Sequence, residues 1–291
     1  MRTTCWISRI LGPKTRRLPG ALLTGAGAVA AGLLSSCGLQ KDIDVELPAY
    51  PAQLVVEAYL ENGRLPRIAV SESVPYLAEP QVQVPTDVTV VLTRPNGTRD
   101  TLRYAPGLNM STDKAYTHSG RTRLVARPGD VFQLEAYDTR GRRVTGSATM
   151  PALVPIDNIQ WQFDTQPAER RQAYLTVKFQ DPAATTDYYR FQVHKSSLGH
   201  DPDVEYTVED RLTNGQAITL GTSYEFKAND TLFVTLYHLD RPYYQFLQSV
   251  QDARNANGNP FAQPSAVRST VTGGVGVFTV LSYQRQRVIL R

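Results

Sequence analysis

The chain has 291 residues, with 31 basic and 27 acidic side chains and two cysteines. Residues 1–36 hold five of the basic groups and no acidic one, leaving 26 against 27 in the rest, so its charge gives no footing for nucleic-acid binding. Cys5 lies in that basic segment and Cys37 is the other cysteine, so beyond residue 37 there is no internal disulfide and no thiolate metal site.

Arg2, Arg9, Lys14, Arg16 and Arg17 precede an apolar run over residues 21–34 that is rich in Ala, Gly and Leu. The run falls short of the roughly 20 apolar residues that a membrane-spanning helix needs. A positive flank, a short apolar core and small residues before a cleavage point read as a secretory signal. Leu33-Leu34-Ser35-Ser36-Cys37 makes it a lipoprotein signal. Residues 1–36 are then expected to be removed and Cys37 to carry the lipid, whose chains each bind the bilayer with about 0.8 kcal/mol per CH₂. Residues 37–47 read as an acidic tether containing Gln40, Lys41 and Asp42.

From residue 48 the pattern turns to strands. Residues 53–60 (QLVVEAYL), 87–93, 100–104, 121–126, 131–137 and 143–150 are rich in β-formers, and turns at 95–98, 128–130 and 139–141 divide them. Residues 48–150 are expected to form one β-sandwich domain of immunoglobulin-like or transthyretin-like kind. Pro151 and Pro155 mark a boundary. A second β domain over 151–291 has strands at 159–164, 173–180, 188–194, 205–208, 231–239, 267–271 and 288–290, with a turn and strand over 273–278. It carries one inserted amphipathic helix near 241–255. Asp240 is placed to cap that helix, and Tyr243, Phe246, Leu247 and Val250 share one face. The fold class is all-β, two sandwich domains with that one helix.

The residues that could carry chemistry are scattered. His118, His194, His200 and His238 have no metal-ligand spacing and read as surface or turn residues. No nucleophile elbow occurs. Asp201, Asp203 and Glu205 alternate and could face one side of a strand, but the residue pattern of a calcium loop is missing, so no metal site is assigned. Gly273, Gly274 and Gly276 lack the Lys-Ser/Thr of a phosphate loop and are expected to seat the helix against the sheet. Tyr188-Tyr189 and Tyr243-Tyr244 should each place one ring inward and one outward. The outward ring is a candidate contact for a glycan, a peptide or a partner protein. No catalytic residue and no cofactor are assigned.

Several features in order resemble a known family: Cys37 in its lipobox, residues 53–59 after Leu47-Pro48, Pro128-Gly129-Asp130 before a strand, the Tyr243-Tyr244 helix, and Asn259-Pro260-Phe261 leading to Gly273-Gly274-Val275-Gly276-Val277-Phe278. Together they resemble the Bacteroidota lipoprotein family catalogued as domain of unknown function 4249. Gln40-Lys41-Asp42 likewise resembles the tag that sends such lipoproteins to the cell surface. The resemblance implies an outer-membrane lipoprotein, anchored at Cys37 and facing the cell exterior. The family has no assigned activity and no catalytic residues to carry over; the expectation is a non-enzymatic protein and, by analogy, an accessory of a TonB-dependent nutrient receptor. The alternative is an envelope structural or adhesive protein whose sandwiches act as spacers.

Overall fold

The computed structural model describes residues 51–75, 79, 81–109, 114–256 and 265–291, all within one unit, Tyr50–Arg291. The signal segment, Cys37 and the Gln40-Lys41-Asp42 stretch lie outside the described residues. Strand makes up 49% of the described residues and helix 7%, the all-β, sandwich-like class expected.

Period-two alternation builds the first half. In β1 (Leu54–Glu61), Leu54, Val56, Ala58 and Leu60 turn inward, and the residues between them do not. There follow β2 (Arg67–Glu72), β3 (Thr89–Thr93), β4 (Arg99–Asn109), β5 (Lys114–Ser119), β6 (Val131–Tyr137) and β7 (Arg143–Thr149). The first part of β4 pairs with β3, and its second part, from Arg103, pairs with β5 through a register shift between Tyr104 and Gly107. One strand thus serves two layers, as bulged strands often do. Between the layers lies a core that includes Ile68, Val70, Leu92, Phe132 and Leu134.

The second half contains β8 (Asn158–Phe163), β9 (Ala173–Gln180), β10 (Tyr188–Lys195), β11 (Val204–Glu209), β12 (Ala217–Gly221) and β13 (Thr231–Leu239). Helix α1 (Arg241–Ala256) and strands β14 (Val271–Thr272) and β15 (Val275–Ile289) complete it. A three-stranded sheet, β12-β9-β8, stands apart from a twelve-stranded one ordered β11-β10-β13-β15-β1-β2-β5-β4-β3-β6-β7-β14. Leu175, Val177 and Phe179 of the small sheet meet Tyr189, Phe191, Val193, Leu232, Val234 and Leu236 of the large one in a second core. On the other face of β10 and β13, α1 closes over a third cluster, of Tyr188, Tyr237, Leu239, Tyr243 and Val277.

Strand β15 joins the halves. Val275–Leu281 pairs in parallel with β1, and the rest, through Ile289, pairs antiparallel with β13. Val271, Phe278 and Val280 belong to the first core, so the two cores do not follow a single cut at residue 150. Gly276 makes the junction possible. Its φ is +131°, and a Cβ there would lie 1.9 Å from the Val56 carbonyl oxygen.

Several expected elements are corrected. Residues 121–126 form no strand. Leu124 bonds Gly63 and Arg64, and the Ala126 amide bonds the Asn62 side chain, so the segment is tied to one turn rather than to a ladder. Of residues 267–271, only Val271 enters a strand. The Thr270 hydroxyl accepts from the Phe278 amide (2.7 Å) and donates to its carbonyl (3.1 Å), occupying the place of a strand neighbour. The separate strands expected after Gly274 and at 288–290 are one continuous β15. β2, β5 and β12 form as well, unforeseen. The helix forms where expected, with Asp240 Oδ1 accepting from the Tyr243 amide at 2.9 Å.

Candidate functional site

Strand register brings three aspartates together. Tyr188 pairs with Glu209, so Asp187 just before β10 and Asp210 just after β11 are neighbours, and the Asp210 amide donates to the Asp187 carbonyl at 3.1 Å. Ala217 pairs with Gln180, so Asp181 just after β9 meets the turn that leads into β12. There the Asp181 amide donates to the Gln216 carbonyl (3.1 Å). The Gly215 amide donates to Asp181 Oδ2 (2.7 Å). Four strand ends, two from each sheet, therefore converge. Asp181, Asp187 and Asp210 are all buried, each offering a carboxylate oxygen within 4.8 Å of the others.

Their surroundings differ. Asp181 Oδ1 accepts from the Tyr189 hydroxyl. Asp187 lies against the Thr185 hydroxyl and against His238 Nε2 at 2.9 Å, while His238 Nδ1 faces the Ala152 carbonyl at 2.8 Å. The His238 ring stacks on Tyr189 at 5.3 Å. Asp210 is 0% exposed, and neither of its carboxylate oxygens has a hydrogen-bond partner. Burial pushes its carboxyl above the ordinary range, with the charges of Asp181 and Asp187 adding to the push. The Asp187 backbone pulls the other way but makes no hydrogen bond of acceptable geometry with it. Burial and the Asp181 contact also push the Tyr189 hydroxyl up.

The tyrosine pairs lie beside this centre, and the expectation for Tyr188-Tyr189 is corrected. Tyr188 and Tyr189 point to opposite faces of β10, but both are buried because the small sheet covers one face and α1 the other. Tyr243 is buried under α1 and accepts from Arg190 at 3.1 Å, and Arg190 pairs with Glu205 at 2.7 Å. Burial pushes the Tyr243 hydroxyl up to about 12 against the pull of Arg190. Tyr244 is half-buried, with its ring 4.6 Å from that of Tyr188. Tyr59 meets Tyr243, and Tyr237 meets Tyr283, at 6.1 and 5.1 Å. Such pairs each add roughly 0.5–1.5 kcal/mol beyond the area they bury. The cluster fastens the helix to β1, β10, β13 and β15.

Other expectations shift too. His118, His194 and His238 are buried in strands, and His200 is the exposed one. Asp203 accepts from the Lys195 amide, and Glu205 is engaged by Arg190 and Gln192. The glycines at 273–276 meet β1 and β7 rather than the helix. A Cβ on Gly274 would lie 2.5 Å from the Leu54 carbonyl oxygen. An open depression of about 460 Å³, lined by Ser196, Asn229, Asp230, Thr231, Phe233 and Arg287, lies at the opposite end of β10 and β13 from the aspartates. Sequence reasoning missed Asp181, Asp187 and Asp210 because no spacing motif links them. The available signal was an aspartate beside the end of each of three strands, which needs the pairing register to become a cluster.

A family model described as "Domain of unknown function (DUF4249)" matches residues 40–287. No curated protein matches the chain. Among solved structures, a chain of a cytokine receptor complex is 11% identical, with a TM-score of 0.25, covering 80% of this chain and 94% of that one. The pullulanase of Anoxybacillus sp. LM18-11, complexed with maltotriose, is 14% identical, with a TM-score of 0.21, covering 65% of this chain and 26% of that one. Neither likeness carries weight for this chain at those scores.

Proposed function

The chain belongs to the DUF4249 family, and from that premise we propose that it is an outer-membrane lipoprotein, anchored through Cys37 and facing the cell exterior, that serves as a non-enzymatic binding or accessory protein of a TonB-dependent nutrient receptor. The observation that carries the reading is the placement of Leu33-Leu34-Ser35-Ser36-Cys37 just ahead of the family region, which begins at residue 40. Sixteen residues separate Cys37 from β1. Fully extended, such a tether reaches about 60 Å at most, enough to stand beside a receptor without leaving it. Support for a non-enzymatic role comes from burial. Asp187 and His238, the one close histidine–carboxylate contact among the described residues, lie at 5% and 8% exposure, where a substrate does not reach them.

Labelled palmitate and a pull-down test the reading together. The wild type should incorporate palmitate and fractionate with outer membranes, and Cys37→Ala should lose both. From mildly solubilised membranes a large β-barrel receptor should co-purify in near-equal amount, and its substrate then names the ligand class, glycan or peptide. Recovery of the lipoprotein alone would transfer the assignment to an envelope spacer or adhesive protein.

A further inference from the structure

We propose that Asp181, Asp187 and Asp210 form a binding site for one hard divalent cation, calcium by its chemistry. Two loops deliver the three carboxylates, Asp181 and Asp187 from the β9–β10 connection and Asp210 from the β11–β12 connection, with ligand oxygens within 4.8 Å of one another. Calcium binds oxygen at about 2.3–2.6 Å, which sets opposite ligands roughly 5 Å apart, so this spread is that of a coordination shell. The second observation is Asp210 itself. A fully buried carboxyl with neither oxygen partnered must either hold a proton or be met by something positive. Among the described residues no hydrogen-bond donor meets it. The one basic group of the centre, His238, is spent on Asp187 and the Ala152 carbonyl.

The other two aspartates are held as ligands are held. The Tyr189 hydroxyl and the Gly215 amide fix the two oxygens of Asp181, and Thr185 and His238 fix Asp187. Both oxygens of Asp181 and Oδ2 of Asp187 have a single partner each and keep a lone pair free for a metal. Such outer partners orient metal ligands and are part of their affinity. Three formal negative charges call for a divalent ion, and an all-oxygen donor set selects calcium, magnesium or manganese over zinc or copper. Magnesium demands near-ideal octahedral geometry, whereas calcium accepts irregular shells of the kind that carboxylates from two separate connections supply. The ion would pin the β9–β10 and β11–β12 connections to each other, and so the small sheet to the large one.

The test uses the full chain in detergent, stripped with a chelator and then given calcium or magnesium. Metal analysis after dialysis should find one calcium per chain. Calcium at a hundredfold excess over its dissociation constant should raise the melting midpoint by about 5–10 °C. Asp210→Asn should abolish that rise, and in chelator it should melt at or above the wild type, because it removes a buried charge. Terbium in place of calcium should luminesce through energy transfer from Tyr189, which touches Asp181. A wild-type midpoint unmoved by calcium, or a calcium response that survives in Asp210→Asn, overturns the proposal. An equal response to magnesium overturns the choice of calcium. Should Asp210→Asn fail to fold, the stoichiometry of the wild type decides alone.

Discussion

Asp138 and Asp210 occupy the same kind of place in the two halves of the molecule. Each follows directly on a strand, β6 or β11, and each is buried. Asp138 Oδ1 accepts from the Arg140 and Arg142 amides at 3.0 and 2.9 Å, and Oδ2 from the two guanidinium groups at 3.3 and 2.7 Å. The same guanidiniums reach Glu72, and Arg142 also donates to the Ala52 carbonyl. Asp210 has none of this. The first half shows that this fold can neutralise a buried carboxylate with its own donors. Where it does not, the acceptors are left for a group from outside, and that contrast is what gives Asp210 its meaning.

The largest effect should come from breaking what the two halves share. Gly276→Ala puts a Cβ against the Val56 carbonyl in a backbone region that side chains rarely adopt. Strand β15 then cannot lie between β1 and β13. A loss of at least about 3 kcal/mol is expected, as for other backbone-strained substitutions. Urea unfolding should show both halves failing in one transition. A stable variant with a native transition would mean that the halves do not depend on β15.

Next in size is the direct contrast. Asp138→Asn removes a charge that holds two arginines and two backbone amides. It should cost about 2–3 kcal/mol, the scale for losing hydrogen bonds to a charged group, moderated because Arg140 and Arg142 are partly exposed. The same exchange at Asp210, measured in chelator, should cost nothing. Equal losses from the two variants in urea denaturation would erase the distinction.

Much of the frame is visible in the residues, and the centre is not. Strands β6, β9 and β13 end where their alternation ends, and Asp240 signals its helix. β12 is five residues long, too short for alternation to stand out. The second part of β15, SYQRQRVI, reads as two pieces because both of its faces are only partly covered, so polar residues interrupt the pattern. Tyr188 and Tyr189 mislead for the same reason in reverse. With both faces of β10 covered, neither ring is free. The aspartate centre needs two pairing registers at once, β10 with β11 and β9 with β12, and no local spacing encodes either.

The smallest effect sharpens the contrast through pH. The hydrogen bond from Arg142 holds the Glu72 carboxyl below its usual range against the cost of burial, with Arg140 adding to it. For Asp138, burial pushes up, but the bonds from the Arg142 side chain and from the Arg142 and Arg140 backbone outweigh it, and the net direction is again down. The nearby Asp87, bonded to Thr139, is lowered too, although the charge of Asp138 opposes this. A carboxylate lowered in the folded state contributes stability above its unfolded pKa of about 4 and loses it as pH falls through the lower folded value. Acidification below pH 4 should therefore lower the melting midpoint of the wild type. In Asp138→Asn the drop should shrink, since one of the carboxylates responsible is gone. An acid drop of equal size in the wild type and in Asp138→Asn would show that this arginine-bound corner is not where the fold keeps its acid-sensitive charge.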